Sequence, residues 1–164
     1  MFWVRDLVPA GDGPNLEFDY YVPVSVTWPG YHARLGAPRT VVVDGGACGS
    51  VELKLDRESD ALVDVVLISA GRPEVLVEEV ALPAGERVVP VLRRPDDVLT
   101  VKGPVRVRAF ANVLWFEWDD SAGARLVGGG PVRLVVTDDS RFVGLVVEWG
   151  KQQYDEFAAQ FSRS

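Results

Sequence analysis

Residues 51–68 read VELKLDRESDALVDVVLI, and the reading of this stretch decides the fold. Val51, Leu53 and Leu55 alternate with Glu52 and Lys54, which puts apolar side chains on one face of a strand and charges on the other. The polar residues 56–60 then turn the chain, and residues 61–69 return as the second strand of a hairpin. A similar pattern recurs downstream, where Val132, Leu134 and Val136 alternate, residues 138–140 turn the chain and residues 142–149 return. With a single gap, VRLVVTDDSRFVGLVVE (132–148) lies under residues 51–68, and glycine-rich turns at 45–49 and 128–130 precede the two hairpins.

The rest of the chain extends this pattern. Its 30 valines fall in short runs separated by Gly, Pro, Asp and Ser. A branched Cβ favours the pleated, half-buried surface of a sheet, so such runs read as strands joined by turns. Further strands are expected at 2–8, 18–28 with a break at Pro23, 40–43, 75–81, 87–92, 98–101, 105–111 and 113–118. Tyr154, Phe157, Ala158 and Phe161 recur at the spacing of one helical face and predict an amphipathic helix over about 151–161. The expected fold is all-β: a mainly antiparallel β-sandwich or flattened barrel of many short strands with one C-terminal helix. The 11 prolines are spread evenly, so residues 1–164 read as a single domain, with two related halves at about 1–82 and 83–150.

Composition narrows the chemistry. No uninterrupted apolar run exceeds four residues, as at 65–68, far short of the roughly 20 needed to cross a bilayer, so no membrane span is expected. Arg5 and Asp6 interrupt the apolar start that a secretory signal would need, and the lone Cys48 cannot form an internal disulfide. A cytoplasmic location is the expectation. The formal charge is −7, divided as −7 in residues 1–85, +3 in 86–108 and −3 in 109–164. An acidic chain does not suit nucleic acid, which recruits clustered cations.

One histidine, His32, rules out a site built on two imidazoles, and one cysteine rules out a Cys-pair zinc site. Cys48 sits between glycines and reads as a small buried thiol in a turn. The carboxylates of residues 56–60 lack the glycine and distal glutamate of a calcium loop, and Arg57 sits among them, so a solvated turn is expected. Neither metal nor cofactor is expected, and no phosphate loop, dinucleotide fingerprint, nucleophile elbow or zincin motif occurs.

The remaining candidates are aromatic and charged. Glu117 and Glu148 each precede a tryptophan, and paired carboxylates beside aromatic faces are the kit of a glycoside hydrolase. Arg106 and Arg108 share a strand face within the basic stretch, near Arg93, Arg94 and Lys102, and pairing with the protein's own carboxylates is the ordinary use of such a patch. Five tryptophans, Trp3, Trp28, Trp115, Trp118 and Trp149, suggest that one or two face a contact surface. The candidate binding residues are therefore Trp115, Trp118, Trp149, Glu117, Glu148, Arg106 and Arg108.

With no catalytic kit, the profile is that of a non-enzymatic, acidic protein-binding module that masks a basic protein partner, as bacterial toxin-immunity and accessory proteins do. A small-ligand or carbohydrate-binding β protein and a carboxylate enzyme using Glu117 and Glu148 are the alternatives.

Overall fold

The computed structural model describes residues 2–33, 36–93 and 100–161. In chain order the elements are β1 (Trp3–Pro9), β2 (Asn15–Glu17), β3 (Val24–Thr27), α1 (Gly30–Ala33), β4 (Arg39–Asp44), β5 (Ser50–Leu55), β6 (Leu62–Ser69), β7 (Glu74–Val75), β8 (Val88–Arg93), β9 (Thr100–Lys102), β10 (Arg106–Ala109), β11 (Val113–Glu117), β12 (Arg125–Val127), β13 (Val132–Val136), β14 (Phe142–Glu148) and α2 (Lys151–Phe161). The expected all-β architecture with a C-terminal helix is present. Two six-stranded sheets, ordered β2-β3-β6-β5-β4-β9 and β12-β13-β14-β11-β10-β7, pack their inner faces into one core, and β1 pairs with β8 beside them.

Five strands in each sheet follow the same plan. In the first, β2 pairs with β3, β3 with β6, β6 with β5 and β5 with β4; in the second, β10, β11, β14, β13 and β12 make the same pairings in the same chain order, all antiparallel. The correspondence extends to single residues. Trp28 and Trp118 end the matched strands β3 and β11, both buried, and their amides donate to the matched carbonyls of Val63 and Val143. The hairpin registers shift at Lys54/Leu55 and at Val135/Val136, the same place in each hairpin. Asp60 and Ser140, in the two hairpin turns, are the only described non-glycine residues with positive φ, at 60° and 65°.

The halves are clasped crosswise. β1 leads into the first sheet, yet the Val4 amide donates to the Ser140 carbonyl of the second at 2.7 Å. β8 follows the first sheet and leads toward the second, yet the Leu92 amide donates to the Asp60 carbonyl of the first at 3.0 Å. Val4 and Leu92 are themselves paired in the β1–β8 ladder. The left-handed backbone at Asp60 and Ser140 aims each turn carbonyl at the opposite leader strand.

Three expectations are corrected. Residues 75–81 form a ladder only at Glu74–Val75, because the backbone of Val80 bonds to the Asn112 side chain rather than to a neighbouring strand. Residues 18–23 form a loop between β2 and β3 rather than a strand up to the break at Pro23. The short strands β2 and β12 had no alternating pattern long enough to reveal them. Of the strand expected at 98–101 only Thr100–Lys102 is described, and Arg94 lies outside the described residues.

Replacing Ser140 by a β-branched residue forces a Cβ-crowded side chain into the left-handed region, which costs about 1–2 kcal/mol. Ser140→Val is therefore expected to lower the urea midpoint and Ser140→Gly to hold it; equal loss in both would contradict a role for the turn backbone.

Candidate functional site

The connection between the sheets decides which surfaces remain open. After β7 has added in parallel to the edge of β10, the chain runs as an extended strap across the outer face of the second sheet. The Leu76 amide donates to the Ala109 carbonyl at 2.8 Å, and the Ala111 amide donates to the Glu78 carbonyl at 3.0 Å. Val80 and Leu82 pack on an outer apolar cluster of Val113, Val135, Val143 and Val146. The strap leaves at the far edge, where Arg133 donates to the Pro83 carbonyl and Gly85 lies against Gly128 and Gly129. A Cβ on Gly129 would sit 1.8 Å from the Gly85 carbonyl oxygen, so this crossing requires glycine.

Five of the seven candidate residues lie under or beside this strap. Direct strand pairing sets Arg106 opposite Glu117, Arg108 opposite Trp115 and Glu148 opposite Val113, all on the outer face of the second sheet. They are already occupied. Arg106 pairs with Glu74 at 3.1 Å, and Arg108 donates to Glu117 at 2.8 Å while its guanidinium stands 4.7 Å from the Trp115 ring. The second Glu117 oxygen accepts from the Ser121 hydroxyl at 2.8 Å, and Glu148 faces Arg133 at 3.7 Å. Along β14, Glu117 sits opposite Gly144 and Glu148 is four residues further on, about 13 Å apart in backbone position at strand rise, and each carboxylate faces its own arginine.

The other two candidates belong to the core. Trp118 is 4% exposed and its Nε1 donates to the Phe142 carbonyl; Trp149 is 9% exposed and its Nε1 donates to the Phe110 carbonyl. Trp28 is also buried, and Trp3 and Trp115 are only partly exposed, so none of the five tryptophans offers an open contact face. Arg93 stacks on Trp3 at 5.5 Å. Cys48, expected to be buried, is exposed at the end of a 3-10 turn, Gly46–Cys48. Asp56 accepts from the Ser59 amide and hydroxyl, and so serves its own turn. The side chain of His32 lies outside the described residues.

The exposed aromatic residues are tyrosines. Tyr20 and Tyr21 are 66% and 83% exposed and pack edge to face at 5.2 Å in the loop after β2. Between the matched pairs Phe18/Ala109 and Trp28/Trp118 the chain is one residue longer in the first sheet, and its irregular part, residues 18–23, carries the tyrosine pair. Asp19 holds the loop by accepting from the Tyr21 amide, and Gln160 of α2 donates to the Tyr20 carbonyl. Between loop and helix lies an open groove of about 380 Å³, with Phe18, Trp149 and Phe157 on its floor and Asp19 and Glu156 among its lining residues. A second open depression, about 500 Å³, continues past Glu17, Val22, Ser25 and Val66 onto the outer face of the first sheet.

That face is polar. Thr27 donates to Asp64 at 2.7 Å, and Lys54 lies between Glu52 at 3.4 Å and Asp64 at 3.7 Å. Burial raises the Asp64 carboxyl above its ordinary 3.8, against the Thr27 hydrogen bond and the Lys54 charge. Burial also pulls the Lys54 ammonium down, but the charges of Asp64 and Glu52 together carry it above its ordinary value. Among the described residues no three His, Cys, Asp or Glu side chains are grouped as for a metal ion.

No known family model matches this sequence. No curated protein matches it either, so function must be argued from the geometry.

The pair Arg108–Glu117 and the buried Asp64 each generate a prediction. Removing one partner of a buried pair leaves an uncompensated charge, at about 3–5 kcal/mol, reduced toward the lower figure here because Arg108 keeps 20% exposure. Glu117→Ala is thus expected to destabilise by about 3 kcal/mol in urea denaturation; an unchanged midpoint would refute the structural role. For Asp64, the folded state holds the proton more tightly than the unfolded chain. Ionised Asp64 therefore costs stability above its folded pKa, and this cost fades as pH falls to the unfolded value near 3.8. Asp64→Asn, which keeps an acceptor for Thr27, is expected to raise the urea midpoint at about pH 7 and to leave it unchanged at about pH 3. A lower midpoint at the higher pH would contradict the assignment.

Proposed function

We propose that this chain is a non-enzymatic protein-binding module that docks a basic protein partner on the acidic, tyrosine-bearing edge of its first sheet. The observation that carries the reading is the pair Tyr20 and Tyr21, which are exposed beside an aromatic-floored groove while every tryptophan is at least partly buried. Large aromatic side chains with few torsions are the usual anchors of protein interfaces, because they bury much area at small entropic cost. Asp19 and Glu156 line the groove with Tyr20, Glu17 lines the adjoining depression, and the chain carries a net charge of −7, which would steer a basic partner toward this edge. Within the basic stretch, Arg106 and Arg108 are paired within the molecule.

Within this reading the chain acts as a single masking domain, of the kind represented by bacterial immunity and accessory proteins, rather than as an enzyme. The carboxylate pair that would serve hydrolysis is separated and ion-paired.

The test is quantitative affinity capture from the native host with three baits: the parent protein, Tyr20→Ala/Tyr21→Ala, and Val77→Ala. Val77 is 82% exposed in the strap and serves as an exposed apolar control. A basic protein should be held by the parent and by Val77→Ala, be retained at least about tenfold less by the tyrosine variant, and be released by added salt. Equal retention by the tyrosine variant, or release insensitive to salt, would overturn the proposal.

A further inference from the structure

The second sheet shows what its counterpart lacks. β7 adds in parallel to the outer edge of β10, pairing Glu74 with Arg108 and Val75 with Ala109, and the strap follows from it. β2 stands in the place of β10: each is the first strand of its five, and each pairs with the strand that ends in a buried tryptophan. Among the described residues, no strand pairs with the outer edge of β2, where Asn15 and Glu17 are exposed. The strand registers make Leu16 the counterpart of Val107, and hence Phe18 the counterpart of Ala109, whose carbonyl accepts the strap's Leu76 amide.

At the matched positions the positive charge is lost in one case, Arg106 to Asn15, and reversed in the other, Arg108 to Glu17. Arg106 and Arg108 flank Val107; Arg106 holds Glu74 of the strap at 3.1 Å, while Arg108 pairs with Glu117 of its own sheet. Asn15 and Glu17 occupy those two positions in the first sheet, with Asp19 close behind. Among the described residues Glu17 makes no ion pair. An edge that copies the pairing of β10 but carries Glu17 and Asp19 in place of cations suits an extended segment that is basic rather than acidic.

We propose that the outer edge of β2 receives a basic, extended segment of the partner protein as an added parallel strand, in the way β10 receives β7. The inference rests on the protein-docking reading above and specifies its chemistry. Main-chain hydrogen bonds along Leu16–Phe18 hold the segment, Glu17 and Asp19 select its lysine or arginine side chains, and Val22 and Val66 provide an apolar floor beside it.

The strap itself supplies the probe. A synthetic decapeptide of residues 73–82 carrying Glu74→Lys, Glu78→Lys and Glu79→Lys is titrated into the full chain, with the unaltered acidic decapeptide as control. Calorimetry and amide chemical shifts are the readouts. The lysine peptide should bind saturably, shift the amides of residues 15–19, and weaken about tenfold when N-methylated at the Leu76 position, which removes the donor to the Phe18 carbonyl. Asn15→Arg/Glu17→Arg, which copies Arg106 and Arg108, should lose the lysine peptide and gain the acidic one.

Absence of saturable binding, binding that shifts other amides, or indifference to N-methylation or to the charge swap would overturn strand addition. Pairing of β2 with a second copy of the chain, seen as concentration-dependent dimerisation in sedimentation, would overturn it as well. The two proposals fail separately. A partner captured through Tyr20 and Tyr21 that leaves residues 15–19 unshifted contradicts strand addition alone, whereas peptide binding with no tyrosine-dependent partner contradicts the docking reading alone.

Discussion

A chain that folds into two like sheets has one stretch of backbone joining them, and that stretch can cover only one outer face. Here it covers the second. β7 fills the edge of β10, and the strap carries Val80 and Leu82 across the outer valines to the glycine crossing at Gly85 and Gly129. The contrast between the sheets follows from this constraint. β13 is buried at every position, whereas β5 alternates buried with half-exposed residues. The strap-covered face holds Trp115 and the largely enclosed Arg108–Glu117 pair; the outer face of the first sheet carries half-exposed Glu52 and Lys54 around the buried Asp64.

The clasp explains why the like halves act together. Each leader strand donates an amide to the hairpin turn of the opposite sheet, so neither sheet can leave without breaking the β1–β8 ladder or the turn bonds at Asp60 and Ser140. The common core reinforces the clasp with Leu53, Leu55 and Leu67 from one side and Phe116, Phe142 and Leu145 from the other, all essentially inaccessible to solvent. α2 then closes the open end, with Phe157 against Trp149 at 5.4 Å and the Tyr154 hydroxyl donating to the Leu76 carbonyl. α2 thereby bridges strap and first-sheet loop, through Tyr154 to the Leu76 carbonyl and through Gln160 to the Tyr20 carbonyl.

Much of this frame was legible in the residues. VELKL against VRLVV already distinguishes a half-solvated strand from one with apolar residues on both faces, and the aromatic spacing from Tyr154 to Phe161 marks the helix. Pairing the basic stretch with nearby acids was the simplest expectation, and Glu74 and Glu117 supply it for Arg106 and Arg108. The site was less legible. Tryptophan count pointed to side chains that the fold largely encloses: Trp118 and Trp149 satisfy their indole N–H groups on backbone carbonyls. Tyr20 and Tyr21 were hidden in the part of 18–28 that read as strand before the break at Pro23, and the structure makes it a loop. The strap was misread for a related reason, since alternation in residues 75–81 reports one buried side and not which groups receive the backbone bonds.

The central claim is that the edge closed in the second sheet stands open in the first. Native-state hydrogen exchange tests it directly by comparing the strap-bonded amides of Leu76, Val80 and Ala111 with those of Leu16 and Phe18 in the free protein. The account predicts slow exchange, approaching the global limit, for the first group and fast exchange through local opening for the second. Equal protection of the two groups would contradict it.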